Sequence, residues 1–179
     1  MLLKNPAGEM PIVSESAYVS DSTVIIGNVK IGERVYIAPN ATIRADEPGS
    51  RIIIGSGCNI QDNVVIHGLQ DSTVLVGDKT SLSHGCIVHG PCAIGNNCFI
   101  GFGSVVFNCE IGNECVVLHR ALVKDVKIPD QRVVKDGMVV NEQENADKLG
   151  KVTRELIDFA TRVVATNIVL SESYSKNNP

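Results

Sequence analysis

Apolar residues recur every six positions over most of this 179-residue chain, and no other property constrains its fold as tightly. Val19, Ile25, Ile31, Ile37 and Ile43 open the series, and after an insertion it resumes at Ile54, Ile60 and Ile66. A second insertion precedes Val76, Leu82, Val88, Ile94, Ile100 and Val106. One residue is dropped before Ile111, Val117 and Val123, and another before Ile128, Val134 and Val140. A period of six fits neither an amphipathic helix nor a lone strand. It fits a solenoid whose coil has three short sides, one hexad to a side, each coil burying what its neighbour cannot bury alone. The twenty hexads predict roughly six to seven coils.

This is the signature of an all-β solenoid, the left-handed parallel β-helix of hexapeptide repeats, an exception to the right-handed crossover rule. Residues 1–140 are expected to form it. The slot four residues after each anchor is small or apolar, and it holds Cys58, Cys86, Cys92, Cys98 and Cys115. A buried thiol behaves as a small hydrophobe, so these read as stacked core residues; no CxxC occurs to suggest a zinc ribbon. Cys109 is out of register and has no assignment. With no Trp and only 4% aromatic residues, the core must be aliphatic. From about Asn145 the apolar spacing changes to three and four through Leu149, Val152, Leu156, Ala160, Val163, Leu170 and Tyr174. That predicts a C-terminal helix of some seven turns within 141–179, packed along the solenoid. Asn167 interrupts its apolar stripe, either as a helix-to-solenoid hydrogen bond or as a polar group facing a site.

The net charge of −4 with mixed signs gives no electrostatic case for nucleic acid or an anionic membrane. The opening MLLKNPAGEM is too polar for a signal peptide and no run reaches membrane-spanning length, so a cytoplasmic location is expected.

Three of the four histidines, His67, His84 and His89, fall in one stretch. Imidazole is the commonest nitrogen ligand for zinc, although scattered surface histidines would satisfy the same spacing. The repeat supplies the geometry. Residues three hexads apart sit on successive coils, about 4.8 Å apart. Arg44, His67 and His89 each follow an anchor separated by three hexads and therefore form one column. His84 stands one coil on from Asp62 in a different column, on another side of the triangle. A three-fold assembly would bring one subunit's His67 and His89 against its neighbour's His84. His119 falls further along the His84 column and is expected outside the site. Gln61, Asp62 and the Arg44–Glu47 run read either as solvated charges or as polar groups ordering the site.

These residues resemble the gamma-class carbonic anhydrases. The shared pattern is R-x-D-E at Arg44 to Glu47, N-I-Q-D at Asn59 to Asp62, His67, and H-x4-H at His84 and His89. It continues through I-G-F-G-S-V-V-F, I-P-D at Ile128 to Asp130 and A-D-K-L, covering nearly the whole chain. The resemblance implies a homotrimer with His67, His84 and His89 as metal ligands at its interfaces. The ion would be zinc, with ferrous iron or cobalt as alternatives. The implied activity is reversible hydration of carbon dioxide to bicarbonate by a metal-bound hydroxide. It further implies that Gln61 bonds the reacting water, that Arg44 and Asp62 pair across the interface, that Asn167 positions carbon dioxide, and that Glu47 takes part in proton transfer. The short Gly68–Thr73 link, with Asp71 its only acid, matches the subtype lacking the long acidic loop, and Ala165 stands where some relatives carry tyrosine. Two other readings of the repeat are a hexapeptide acyltransferase and a catalytically weak metal-binding scaffold.

Overall fold

The anchors point inward and stack. In the computed structural model, which describes residues 1–177, Ile25, Ile43, Ile66, Val88, Val106, Val123 and Val140 are successive register partners on parallel strands. Ile31, Ile54, Val76, Ile94, Ile111 and Ile128 form a second such column. Val19, Ile37, Ile60, Leu82, Ile100, Val117 and Val134 form the third. Three inner columns mean three faces, and every anchor from Ile25 to Val140 is buried. The result is a left-handed parallel β-solenoid of about 7 turns. Two faces merge into one 13-stranded sheet because Ile87–Ile94 and Val105–Ile111 run round a corner unbroken; the third is a 7-stranded sheet. The solenoid also begins earlier than the hexad count, since Leu2–Leu3 and Ile12–Val13 pair with the coil above them.

The coils stack closely at one corner, and this explains the glycines that follow anchors. A Cβ on Gly77 would lie 2.7 Å from the carbonyl carbon of Gly95, and one on Gly95 would lie 2.7 Å from that of Gly112. Beside them the side-chain oxygens of Asp78, Asn96, Asn113 and Asp130 each accept the backbone N–H of the preceding coil at 2.7–2.9 Å. The five in-register cysteines are buried and free, and burial pushes the Cys58 and Cys86 thiols up to about 12. Cys109 joins them. Its coil is one residue shorter, so it becomes the register partner of Cys92 and points inward.

The expected single helix is two helices. Helix α1 (Gln143–Asp147) and helix α2 (Arg154–Asn177) are separated by six residues that do not continue either. Gly150 disfavours helix, and the solenoid captures the linking backbone: Val133 N–H donates to Gly150 O and Val152 N–H to Gln131 O. Ala146 and Leu149 join the main core instead of the helix stripe. Residues 178 and 179 of the expected helical tract lie outside the described residues. Helix α2 lies on the 7-stranded face and packs Leu156, Ala160 and Val163, together with Val152 of the link before it, on Phe99, Val116 and Val133. At 1.5 Å per residue it is about 36 Å long, enough to cross that face.

Candidate metal centre

His67 ends the strand Val65–His67 and His89 lies on Ile87–Ile94. Because the neighbouring anchors face inward, both imidazoles face out. They are register partners, and Arg44 is the partner of His67 on the coil before, so the column expected from counting hexads is present. The rings meet edge to face with centroids 4.9 Å apart, and His67 Nδ1 is 3.1 Å from His89 Nε2. Phe107, the next residue in the column, sets its ring edge to face with His89 at 5.1 Å.

The other nitrogen of His67, Nε2, is buried and has no hydrogen-bond partner. It faces Glu47 Oε1 at 3.4 Å and Asp46 Oδ1 at 3.6 Å. Both carboxylates are engaged elsewhere: Asp46 accepts from the Arg44 guanidinium at 3.0–3.3 Å, and Glu47 Oε2 accepts from Gln70 N–H at 2.7 Å. Burial, followed by the Arg44 and His89 charges, holds the His67 pKa below its ordinary value against the opposing pull of Glu47 and Asp46. That favours the neutral imidazole, the form that binds metal.

His84 stands in the corner after Ser81–Leu82, a strand of the 7-stranded sheet, whereas His67 and His89 lie on the 13-stranded one. Its Nδ1 lies 2.7 Å from Asp62 Oδ2, so Nε2 is the nitrogen turned away from that carboxylate. Within one chain Asp62 thus holds His84, while Arg44 holds Asp46. Among the described residues, no three His, Cys, Asp or Glu side chains of a single chain gather as a metal site. His119 is occupied by other contacts: its Nδ1 accepts the Phe102 N–H at 3.0 Å and its ring stacks on Phe102 at 4.3 Å.

The residues fit a zinc-like ion. Nitrogens 3.1 Å apart can be spanned by two metal–imidazole bonds of about 2.0–2.1 Å. Carboxylates also lie near both kinds of imidazole, Glu47 and Asp46 at 3.4 and 3.6 Å from the unpartnered Nε2 of His67 and Asp62 at 2.7 Å from His84, as around metal-binding histidines.

The sequence pointed to Gln61 and Asn167; the structure joins them. Gln61 Nε2 donates to Asn167 Oδ1 at 2.8 Å and to Asn59 Oδ1 at 3.0 Å. Asn59 in turn donates to Ser81 Oγ at 2.7 Å, and Asn167 to Val163 O at 2.8 Å. Asn59 and Ser81 are fully buried, and hexad counting missed their part. A signal existed in the helix-facing column, which reads Tyr18, Tyr36, Asn59, Ser81, Phe99, Val116, Val133. Two polar residues interrupt an otherwise aromatic and aliphatic series.

The three-sided solenoid and its repeat define the class of protein, and the comparisons agree. The family described as "Bacterial transferase hexapeptide (six repeats)" matches residues 10–45 and 73–108, and the chain belongs to the hexapeptide-repeat family. The carbonic anhydrase of Methanosarcina thermophila is 36% identical over 195 residues, covering 97% of this chain and 78% of that protein. The carboxysome assembly protein CcmM of a Nostoc species is 43% identical over 172 residues, covering 90% of this chain but 31% of that protein. This chain therefore spans about a third of the length of that relative. A solved structure of a hexapeptide transferase family protein from Anaplasma phagocytophilum shares the fold at a TM-score of 0.83, with 26% identity over 97% of this chain and 98% of that one.

Proposed function

We propose that this chain is the subunit of a gamma-class carbonic anhydrase that hydrates carbon dioxide reversibly at sites shared between the subunits of a homotrimer. One observation carries the reading: two imidazole nitrogens converge to 3.1 Å, with one further buried nitrogen unpartnered. The third ligand would be His84 of the neighbouring subunit, oriented by Asp62. The face that carries His67 and His89 supports a partner. Val65, Ile87, Val105, Leu122 and Val139 form an outward apolar column on it, with Val65, Ile87 and Val139 exposed. An exposed apolar patch of this kind marks an interaction surface.

His67 and His89 with the neighbouring subunit's His84 would hold an ion of zinc, ferrous iron or cobalt, which would supply hydroxide at neutral pH. The chain's own groups do the rest. Both Gln61 Nε2 hydrogens are donated to Asn59 and Asn167, so Gln61 offers a reacting water its Oε1, an acceptor that fixes the orientation of attack. Asn167 donates one Nδ2 hydrogen to Val163 O and keeps the other for an oxygen of carbon dioxide. Glu47, close to His67 and partly exposed, accepts the proton released and passes it to solvent. Arg44 holds Asp46 beside the same imidazole, and across the proposed interface would pair with Asp62.

Stopped-flow hydration of carbon dioxide by protein purified anaerobically and reloaded with zinc or iron tests the reading. A rate above buffer that disappears in His84→Ala, together with loss of metal, supports it. A metal-free protein that transfers an acetyl group from acetyl-coenzyme A would replace it with an acyltransferase. The 43% match to a carboxysome assembly protein favours a second reading, a metal-binding assembly scaffold of the same trimeric design. That reading requires bound metal without a hydration rate under either ion.

A further inference from the structure

Cys98 and Cys115 lie close enough to interact, but Cys92 and Cys109 face each other directly. Their sulfur atoms are 3.7 Å apart and their Cα atoms are register partners on adjacent coils. Cys58, Cys98 and Cys115 instead aim their thiols at the backbone oxygens of Gly77, Gly112 and Pro129 at 3.0–3.1 Å. Cys86 is sealed at 0% exposure, whereas Cys92 and Cys109 keep 4% and 5%. Both residues also border a groove of about 800 Å³, whose walls include Thr73, Leu75, Ala93 and Val126. Proximity and facing geometry thus coincide at this pair, beside a groove wide enough for a small solute.

We infer that Cys92 and Cys109 form a dithiol that hydrogen peroxide closes to a disulfide between neighbouring coils. Register partners on adjacent strands, about 4.8 Å apart, fall inside the Cα separation that disulfides span, and the sulfurs need to approach to about 2.05 Å. The hydrogen bond shared with Cys109, followed by burial, holds the Cys92 pKa well above its ordinary value, so the reaction is slow and runs through the small ionised fraction. One cysteine, as its thiolate, attacks an oxygen of hydrogen peroxide. The O–O bond breaks, the displaced oxygen takes up the thiol proton and leaves as water, and the sulfur becomes a sulfenic acid. The second sulfur attacks it, the S–O bond breaks, and a second water leaves with the second thiol proton. Two thiols and one peroxide become one disulfide and two waters. The bond would tie Ile87–Ile94 to Val105–Ile111 where their pairing shifts register, between His89 and Cys92. It would thereby couple oxidation to the strand that carries His89. The inference does not depend on the anhydrase reading.

The test is mass spectrometry of the whole purified protein. After hydrogen peroxide treatment, unfolding and alkylation with iodoacetamide, two of the six cysteines should escape alkylation, and the mass of the unalkylated chain should fall by two hydrogens. Proteolysis should yield one linked peptide pair containing Cys92 and Cys109, which dithiothreitol separates. Cys92→Ser and Cys109→Ser should each abolish the linkage, and the wild-type peptide map carries the assignment should either variant fold poorly. Six alkylated cysteines after peroxide has fully oxidised a reference dithiol would overturn the inference. So would a linkage between any other pair, or oxygen added to separate cysteines without a linkage.

Discussion

Asn59 carries a mechanical load that its fully buried position makes measurable. It accepts from Gln61 and donates to Ser81, so Asn59→Ala leaves buried polar atoms on both neighbours unpaired. Stability should fall by about 1–3 kcal/mol, read as a lower urea midpoint, and Gln61 should lose its fixed orientation. If Gln61 directs a reacting water, the hydration rate falls with it, whereas metal content stays near wild type. His67 gives a prediction in pH. Its folded pKa is lowered from the ordinary 6.5, so the unfolded chain takes up this proton first as the solution is acidified. The stabilising contribution is complete above about 6.5 and is lost as pH falls from there towards the lower folded value. For metal-stripped protein, the urea midpoint should decline in that window, and less steeply in His67→Gln. At this scale the sequence was informative about what faces outward on the repeat and silent about what covers it. His67 and His89 could be placed by counting, since register in a solenoid is local arithmetic. The Asn59–Ser81 pair was harder to assign, because the relay it supports runs through Gln61 to Asn167, on a helix 106 residues further along the chain.

The coil is the element on which this molecule depends, and its tightest point is the glycine corner. Gly95 has an ordinary backbone angle, so Gly95→Ala tests steric fit alone: its Cβ would meet the Gly112 backbone at 2.7 Å. Overpacking of this kind costs about 1–3 kcal/mol, and the expected result is a lower thermal midpoint with unchanged metal content. At the far end, Leu149 is 7% exposed and joins the solenoid core. Leu149→Ala should therefore destabilise by about 2–5 kcal/mol, more than an alanine at the exposed Val169 of helix α2. Leu149 also explains why one expected helix became two. Its spacing from Val152 and Leu156 keeps the helical pattern, yet the last coil recruits it and bonds the backbone of Gly150. A tertiary contact overrode a local periodicity. The shortened coil hid Cys109 in the same way: the hexad arithmetic failed by one residue at the step where the chain drops one.

At the scale of the whole molecule, His67 and His89 share one sheet while His84 sits in the corner after a strand of the other, and this makes the proposed assembly testable by complementation. In His84→Ala the paired imidazoles survive; in His67→Ala the lone one does. Neither variant alone can complete a site. If the site closes between subunits of a cyclic trimer, every mixed trimer contains one interface where an intact His67/His89 pair meets an intact His84. Random assembly from equal amounts then places about three quarters of trimers in the mixed class, each with one working interface in three, so about one quarter of the wild-type metal sites return. Co-refolding the two variants and measuring bound zinc after gel filtration reads this directly, without relying on activity. Recovery near one quarter, with each variant metal-poor alone, supports a shared site. Two metal-poor variants whose mixture also stays metal-poor, although it forms mixed trimers, would mean that all three histidines must come from one chain. The separation of His84 from the other two on the prism would then have to change on binding.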